Sequence, residues 1–306
     1  MQGIVIKSTG SWYKVRSEEG KIIDCRIVGK FRLDGIKSTN PVAVGDVVHY
    51  EMEPESETGV IRKINPRKNY LIRKSVNLSK QTHIIAANID LAFILITLQN
   101  PQTFPAFIDR FLATAQAYRI PAILLFNKID IYDDYQLQEK EELKLLYEKI
   151  GYLCLDISAE KGINIKQVQE LMKNKTTLFM GHSGVGKSTL INAVEPGLNL
   201  KTKPISDAHN QGQHTTTFAE MFALSFGGYI IDTPGIKGYG LVDFSKEEVS
   251  HFFPEIFALQ GKCKYYNCIH ENEPKCAVIE AVENGDIAYS RYTSYLQMLE
   301  EDETYR

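Results

Sequence analysis

Residues 181–189 read GHSGVGKST and fill every position of the pattern G-x-x-x-x-G-K-[ST]. An apolar run at 177–180 precedes them and a helical stretch at 188–194 follows, which is the strand–loop–helix setting such a loop requires. Glycine allows close approach and positive φ, so backbone N–H groups of Gly181, His182, Ser183, Gly184, Val185 and Gly186 can wrap a phosphate. Lys187 would reach the β- and γ-phosphates, the Ser188 hydroxyl would coordinate Mg²⁺, and Thr189 is counted with them among the GTP-binding residues. A chance glycine-rich turn is the alternative, and the flanks weigh against it.

Downstream, IIDTPG at 230–235 supplies a second half. Asp232 at a strand end can hold Mg²⁺, and the Gly235 N–H can meet the γ-phosphate. Between the two, GQHTTT at 212–217 lies in a polar stretch where a threonine could complete the Mg²⁺ shell. Thr216 is the first choice and Thr215 the second; an inert surface loop is the alternative.

Upstream, FNKID at 126–130 follows a buried-strand pattern, so its polar side chains emerge at a strand's carboxyl end. Asp130 can accept two hydrogen bonds from guanine, at its ring N–H and its amino group, and adenine offers no such pair. The expected nucleotide is therefore GTP. The Lys128 stem can cover the base, and Asn127 can tie this loop to the phosphate loop. Ser158-Ala159-Glu160 is similar to the companion guanine loop, in which the Ala159 N–H meets the guanine carbonyl. Ras-like GTPases carry phosphate loop, switch, DxxG, NKxD and SA in that order. Here NKID and SAE come first, so the motifs are circularly permuted, which a sheet tolerates when the old ends are joined.

The rest of the 306 residues arranges itself around this centre. Strand and helix patterns alternate from 89 to 194, with helical spacing at Ile108, Phe111, Leu112 and Ala115, and two more strands near 220–226 and 229–231 complete a sheet expected to be parallel and covered on both faces. Residues 3–6, 12–16, 22–28, 46–52 and 60–64 read as five short strands between glycines, a small barrel for which the oligonucleotide-binding (OB) type is the leading candidate. Residues 1–80 hold 15 Lys/Arg against 9 Asp/Glu although the whole chain is −3, so this quarter is where a polyanion would bind, a solvated basic face being the alternative. Trp12, Tyr13, Phe31 and Arg26 could contact nucleic acid or, for the aromatics, fill the core; none is assigned.

Cys263, Cys268, His270 and Cys276 are spaced C-x₄-C-x-H-x₅-C, a closed four-ligand set for one structural Zn²⁺. His251 reads as an ordinary histidine, and Cys25 and Cys154 as small buried hydrophobes. Apolar runs fall short of the roughly 18 residues a bilayer span needs, and no secretory signal is recognised, so a cytoplasmic protein without a membrane partner is expected.

Barrel, permuted motifs and zinc spacing together resemble the family of ribosome small-subunit-dependent GTPases, RsgA or YjeQ, over nearly the whole chain. The resemblance implies an N-terminal OB-fold β-barrel (1–72), a central α/β P-loop GTPase domain (73–240) and a mostly α zinc-binding C-terminal domain (241–306). It also implies slow GTP hydrolysis stimulated by the 30S subunit, binding to 16S rRNA, a role in late 30S maturation and release of the assembly factor RbfA. Nothing demands more than a monomer. The residue after Gly235 is Ile236, which cannot orient water as the Ras-like glutamine does. The resemblance points to His214 as the catalytic substitute; a histidine that contacts rRNA or only positions its loop is the alternative. GTP would favour the 30S-bound state, with hydrolysis releasing 211–217 and loosening the zinc domain. The competing class is a non-catalytic RNA-binding module with a structural nucleotide. A GTPase acting on tRNA or membrane partners lacks a positive feature.

Overall fold

The computed structural model describes residues 1–27, 41–74, 82–200, 219–232, 241 and 244–304. Phe31, His214, Thr215, Thr216, Gly235 and Ile236 lie outside the described residues.

Five strands form the N-terminal barrel: β1 (Gln2–Ser8), β2 (Tyr13–Ser17), β3 (Ile22–Ile27), β4 (Val47–Met52) and β5 (Gly59–Ile64). Pairing runs β1–β2–β3–β5–β4 and closes through β4–β1; only β3–β5 is parallel. Alternation places Val5, Tyr13, Val15, Ile23, Cys25, Val48, Tyr50 and Ile61 inside. Tyr13 is thus core, its hydroxyl donating to the Gly10 carbonyl at 3.2 Å, whereas Trp12 is 48% exposed. Arg26 is paired with Glu53.

A hairpin of β6 (Tyr70–Lys74) and β7 (Thr82–Ala87) follows, which the sequence pattern does not announce; residue 72, taken as the barrel's end, falls within β6. Arg67 fixes this junction by donating to both oxygens of the fully buried Asp46, each at 2.6 Å. At Gly45, φ is +90° and an added Cβ would stand 2.1 Å from the Ala87 carbonyl oxygen, so only glycine lets the hairpin dock on the barrel.

The second sheet region contains β8 (Leu91–Ile96), β9 (Ala122–Phe126), β10 (Leu153–Asp156), β11 (Thr176–Met180), β12 (Glu220–Ala223) and β13 (Tyr229–Asp232), in the order β10-β9-β8-β11-β13-β12. Strand β8 shows why both faces are covered. Its Ala92, Ile94 and Ile96 share a core with α1 (Pro105–Ala117) and Tyr147 of α2 (Asp134–Ile150). Its Leu91, Phe93 and Leu95 share another with α3 (Ile165–Met172) and α4 (Lys187–Val194). One strand is not parallel as expected: β12 runs antiparallel to β13, because Gly227 and Gly228, both at positive φ, make a tight hairpin turn. Strand β12 also meets β1 at Lys7 and Glu220, so barrel and central sheet are hydrogen-bonded into one 11-stranded sheet.

The C-terminal region is helical: α5 (Lys246–Val249), α6 (Pro254–Phe257), α7 (Ala277–Glu283) and α8 (Tyr289–Thr304). Its core of Val249, Phe253, Ile256, Val278, Tyr295 and Leu299 also takes in Ala113 from α1. No helix among the described residues is long and apolar enough to cross a membrane.

Candidate nucleotide site and metal centre

The chain runs outward from β8 through β9 to β10 and then returns to β11 on the other side of β8. Ligands bind outside the carboxyl ends of strands at such a reversal. The 181–189 loop leaves β11, the 127–130 segment leaves β9, the 158–160 segment leaves β10, and Asp232 ends β13. Permuted order along the chain therefore becomes adjacency in space.

Asn127, 1% exposed, joins three of these loops. Its Nδ2 donates to the Val185 carbonyl at 2.9 Å, and its Oδ1 accepts the Ala159 N–H at 3.0 Å. Gly186 has φ +102°, and a Cβ there would come 2.5 Å from Asn127 Nδ2, so the glycine makes room for the bridge. The Tyr132 hydroxyl holds the Asn127 carbonyl at 2.7 Å while accepting the Leu98 N–H at 2.9 Å. Because the Ala159 N–H serves Asn127 here, a guanine carbonyl would have to compete for it. Ser158 is buried, its hydroxyl accepting the Lys161 N–H at 3.0 Å.

Lys128 takes the left-handed conformation and donates to the Gly184 carbonyl at 2.9 Å and to the Asn100 carbonyl, which lays its stem across the mouth of the phosphate loop. Asp130 begins no such contact: it is exposed and unpaired among the described residues, leaving both carboxylate oxygens open to a base. Ser183 and Gly184 are exposed, Val185 is buried and anchors the loop, and His182, Ser188 and Thr189 are half-buried.

Lys187 folds back into its own loop, its Nζ donating to the carbonyls of Gly181 and, at 2.9 Å, His182. Burial pulls its ammonium down to about 8, against the opposing attraction of Asp232. Burial likewise raises the Asp232 carboxyl; Lys187 opposes the shift and Glu220, its cross-strand neighbour, adds to it. Each charge is penalised without a ligand. Phosphate oxygens would satisfy Lys187 and a hard cation would satisfy Asp232, so the donor set fits Mg²⁺ with Ser188 as its second protein ligand.

The four metal-ligating candidates do converge. The ligand atoms of Cys263, Cys268, His270 and Cys276 all lie within 4.8 Å of one another. Cys263 Sγ is 3.9 Å from Cys276 Sγ, and His270 Nδ1 is 3.6 Å and 3.3 Å from those two sulfurs. A tetrahedron with metal–sulfur bonds of about 2.3 Å has edges of about 3.8 Å, so the spacing fits Zn²⁺. Burial pushes the Cys268 thiol up to about 12, so its thiolate form needs a cation beside it. Around the cluster, Tyr292 and Tyr295 donate to the carbonyls of His270 and Ile269 at 2.7 and 2.6 Å, and Glu273 accepts the backbone N–H groups of Ile269 and Glu271 at 2.7 and 2.8 Å.

Sequence reasoning passed over several residues that build the site. Tyr132 secures Asn127, and Lys140 and Lys144 hold Asp156 at 2.8 and 3.1 Å just ahead of Ser158. The Phe107 ring lies against His182 at a tilt of 32°, with ring centroids 3.8 Å apart. Tyr132, Lys140 and Lys144 belong to no motif or apolar stripe, and Phe107, four residues before Phe111, reads from its spacing only as part of the core.

Comparison with known proteins agrees with this geometry. The RsgA N-terminal domain model matches residues 2–61 and the RsgA GTPase model residues 64–242. The "Small ribosomal subunit biogenesis GTPase RsgA" of Flavobacterium psychrophilum is 61% identical, over 100% of this chain and 95% of that protein. A protein of the same name from Bacteroides fragilis is 56% identical over 99% of this chain and 97% of its own length. The crystal structure of YjeQ from Thermotoga maritima superposes with a TM-score of 0.79 at 36% identity, covering 98% of this chain and 97% of that one. The structure of YloQ, described as a circularly permuted GTPase, gives 0.74 at 29% identity, with 100% and 96% covered. With a family model spanning more than half its length and relatives this close along all of it, the chain belongs to the RsgA GTPase family.

Proposed function

We propose that this GTP-hydrolysing enzyme acts in the biogenesis of the 30S ribosomal subunit, using the pocket at the β8–β11 reversal. The observation that carries the reading is the Asn127 bridge to Val185 and Ala159, which draws the permuted base and phosphate loops into one buried junction. Asp130 selects guanine. Backbone N–H groups of 181–186 and the Lys187 ammonium hold the phosphates, and Ser158 and Ala159 frame the base. Gly235 contacts the γ-phosphate. Ser188, Asp232 and Thr216 hold Mg²⁺, which when bound offsets charge on the β- and γ-oxygens. His214 orients the water that attacks the γ-phosphorus, giving GDP and phosphate. Since the pocket has no glutamine after Gly235, unassisted turnover is slow, and the 30S subunit raises it by setting His214 in line.

The barrel binds 16S rRNA. Its core accounts for Tyr13, and among the described candidates the exposed indole of Trp12 is the aromatic left for a base. The Cys₃His cluster holds a structural Zn²⁺ in a C-terminal domain that supports the contact, with the chain divided near 72 and 240. Hydrolysis on the subunit promotes release of RbfA. The test is phosphate release from GTP with and without purified 30S subunits. Stimulation of about tenfold or more is expected when a partner orders the catalytic group; equal turnover in both would reject the ribosomal role, and no turnover in either would reject the enzyme.

A further inference from the structure

Helix α1 belongs to two cores at once. Ile108, Phe111 and Leu112 pack beneath the sheet, whereas Ala113 enters the C-terminal core. Between them stands Asp109, 0% exposed, which accepts Arg291 Nη1 at 2.8 Å and the Tyr147 hydroxyl at 2.7 Å. Arg291, 1% exposed, is clamped from its other side by Glu255, with Nε to Oε1 at 2.6 Å and Nη2 to Oε2 at 3.2 Å. Its guanidinium also lies 4.7 Å from the centre of the Phe253 ring. Asp109 and Tyr147 come from the helices of the nucleotide sheet; Arg291, Glu255 and Phe253 come from the C-terminal region. Both bonds to Asp109 fall on its Oδ1, and Oδ2 is buried without a hydrogen-bond partner among the described residues, so removing Arg291 would leave the carboxylate uncompensated and the pair favours one docking position.

The same helix touches the phosphate loop. Phe107 precedes Asp109 by two residues and so points to the opposite side of α1. There its ring lies against His182, whose carbonyl accepts Lys187 Nζ at 2.9 Å. An unbroken path of contacts thus runs from Arg291 through Asp109 and about half a turn of helix to Phe107, His182 and Lys187.

We propose that α1 is a strut through which the docked C-terminal domain positions the phosphate loop, with Arg291 and Phe107 as positioning residues for nucleotide binding. The proposal rests on the reading that the 181–189 loop holds the nucleotide. Arg291 touches neither that loop nor Phe107 among the described contacts, so substitutions at the two positions should act independently unless the helix couples them. With the strut in place, loosening either end frees His182, and loosening the second end adds nothing.

The test measures dissociation of a fluorescent guanosine diphosphate from the full chain carrying Arg291→Lys, Phe107→Leu or both. Each single change is expected to speed release by about three- to tenfold, the size of coupling carried by packed elements, and the double variant by no more than the larger single effect. Unchanged release in Arg291→Lys, or effects that multiply in the double variant, would overturn the proposal. Thermal melts and zinc content establish that each variant is folded. Should Arg291→Lys fail that check, Glu255→Gln replaces it with the same expectation. Lys187→Ala separates the two readings: if it binds nucleotide as the parent does, the pocket assignment fails; if it loses nucleotide while the other two effects multiply, only the strut fails.

Discussion

Asn127 and Ala159, on loops that leave different strands, are joined by a hydrogen bond from the Ala159 N–H to Asn127 Oδ1 at 3.0 Å. Asn127→Ala would strip that acceptor and also the donor to the Val185 carbonyl, leaving two buried backbone groups unpaired. Each unpaired group costs about 1–3 kcal/mol, so urea denaturation should show a loss of about 2–6 kcal/mol, with guanine-nucleotide affinity falling at least about tenfold. Asn127→Asp keeps the acceptor for Ala159 but buries a carboxylate whose second oxygen faces the Val185 carbonyl, and should destabilise at least as much.

Asp130 offers two acceptors to the base edge, whereas an asparagine side chain in its place would offer one acceptor and one donor. Asp130→Asn therefore matches xanthine, which has a carbonyl where guanine has its amino group. Competition binding should show preference moving from GDP to xanthosine diphosphate by about a hundredfold or more. Because Asp130 is exposed, the melting curve should stay within about 0.5 kcal/mol of the parent.

For His214, the expected signature is a split between chemistry and binding. His214→Ala should lower 30S-stimulated turnover by about a hundredfold or more, a usual range for a positioned acid–base group, while leaving GDP affinity unchanged. Equal stimulated turnover in the variant would return His214 to a contact or loop-positioning role.

Metal removal tests the Cys₃His cluster. Elemental analysis should give one zinc per chain, and Cys276→Ser should lose it. Chelation should expose Val278, Tyr295 and their neighbours, read as amide exchange spreading through α7 and α8 while the barrel strands stay protected.

How far this molecule could be read from its sequence differs by element. The continuous apolar run of β8 carries odd residues to one core and even residues to the other, so its pattern told of burial on both faces and of helices on each side. The nucleotide motifs were legible because chemistry fixes both residue type and spacing. The β6–β7 hairpin and the long-range contacts of single helix residues were not. The hairpin of β6 and β7 owes its place to tertiary contacts, Gly45 against Ala87 and Arg67 against Asp46, and no period reports such contacts. The reversal of β12 did have a local sign in Gly227-Gly228, a pair that favours a tight hairpin turn. Arg291, Asp109 and Phe107 are single residues on helices whose partners lie far along the chain, and a one-dimensional pattern holds no trace of them.

Strand β12 lies between β1 of the barrel and β13, which ends at Asp232, and among the described residues its register with the barrel pairs Lys7 with Glu220, reinforced by their 3.0 Å ion pair. Side chains on a strand alternate, so sliding β1 by one residue would turn Lys7 away from Glu220. The pairing consequently specifies one register of the barrel against the strand that neighbours the nucleotide pocket. Whatever grips the barrel is held at a single bearing to the pocket, as a key is by the notch that admits it.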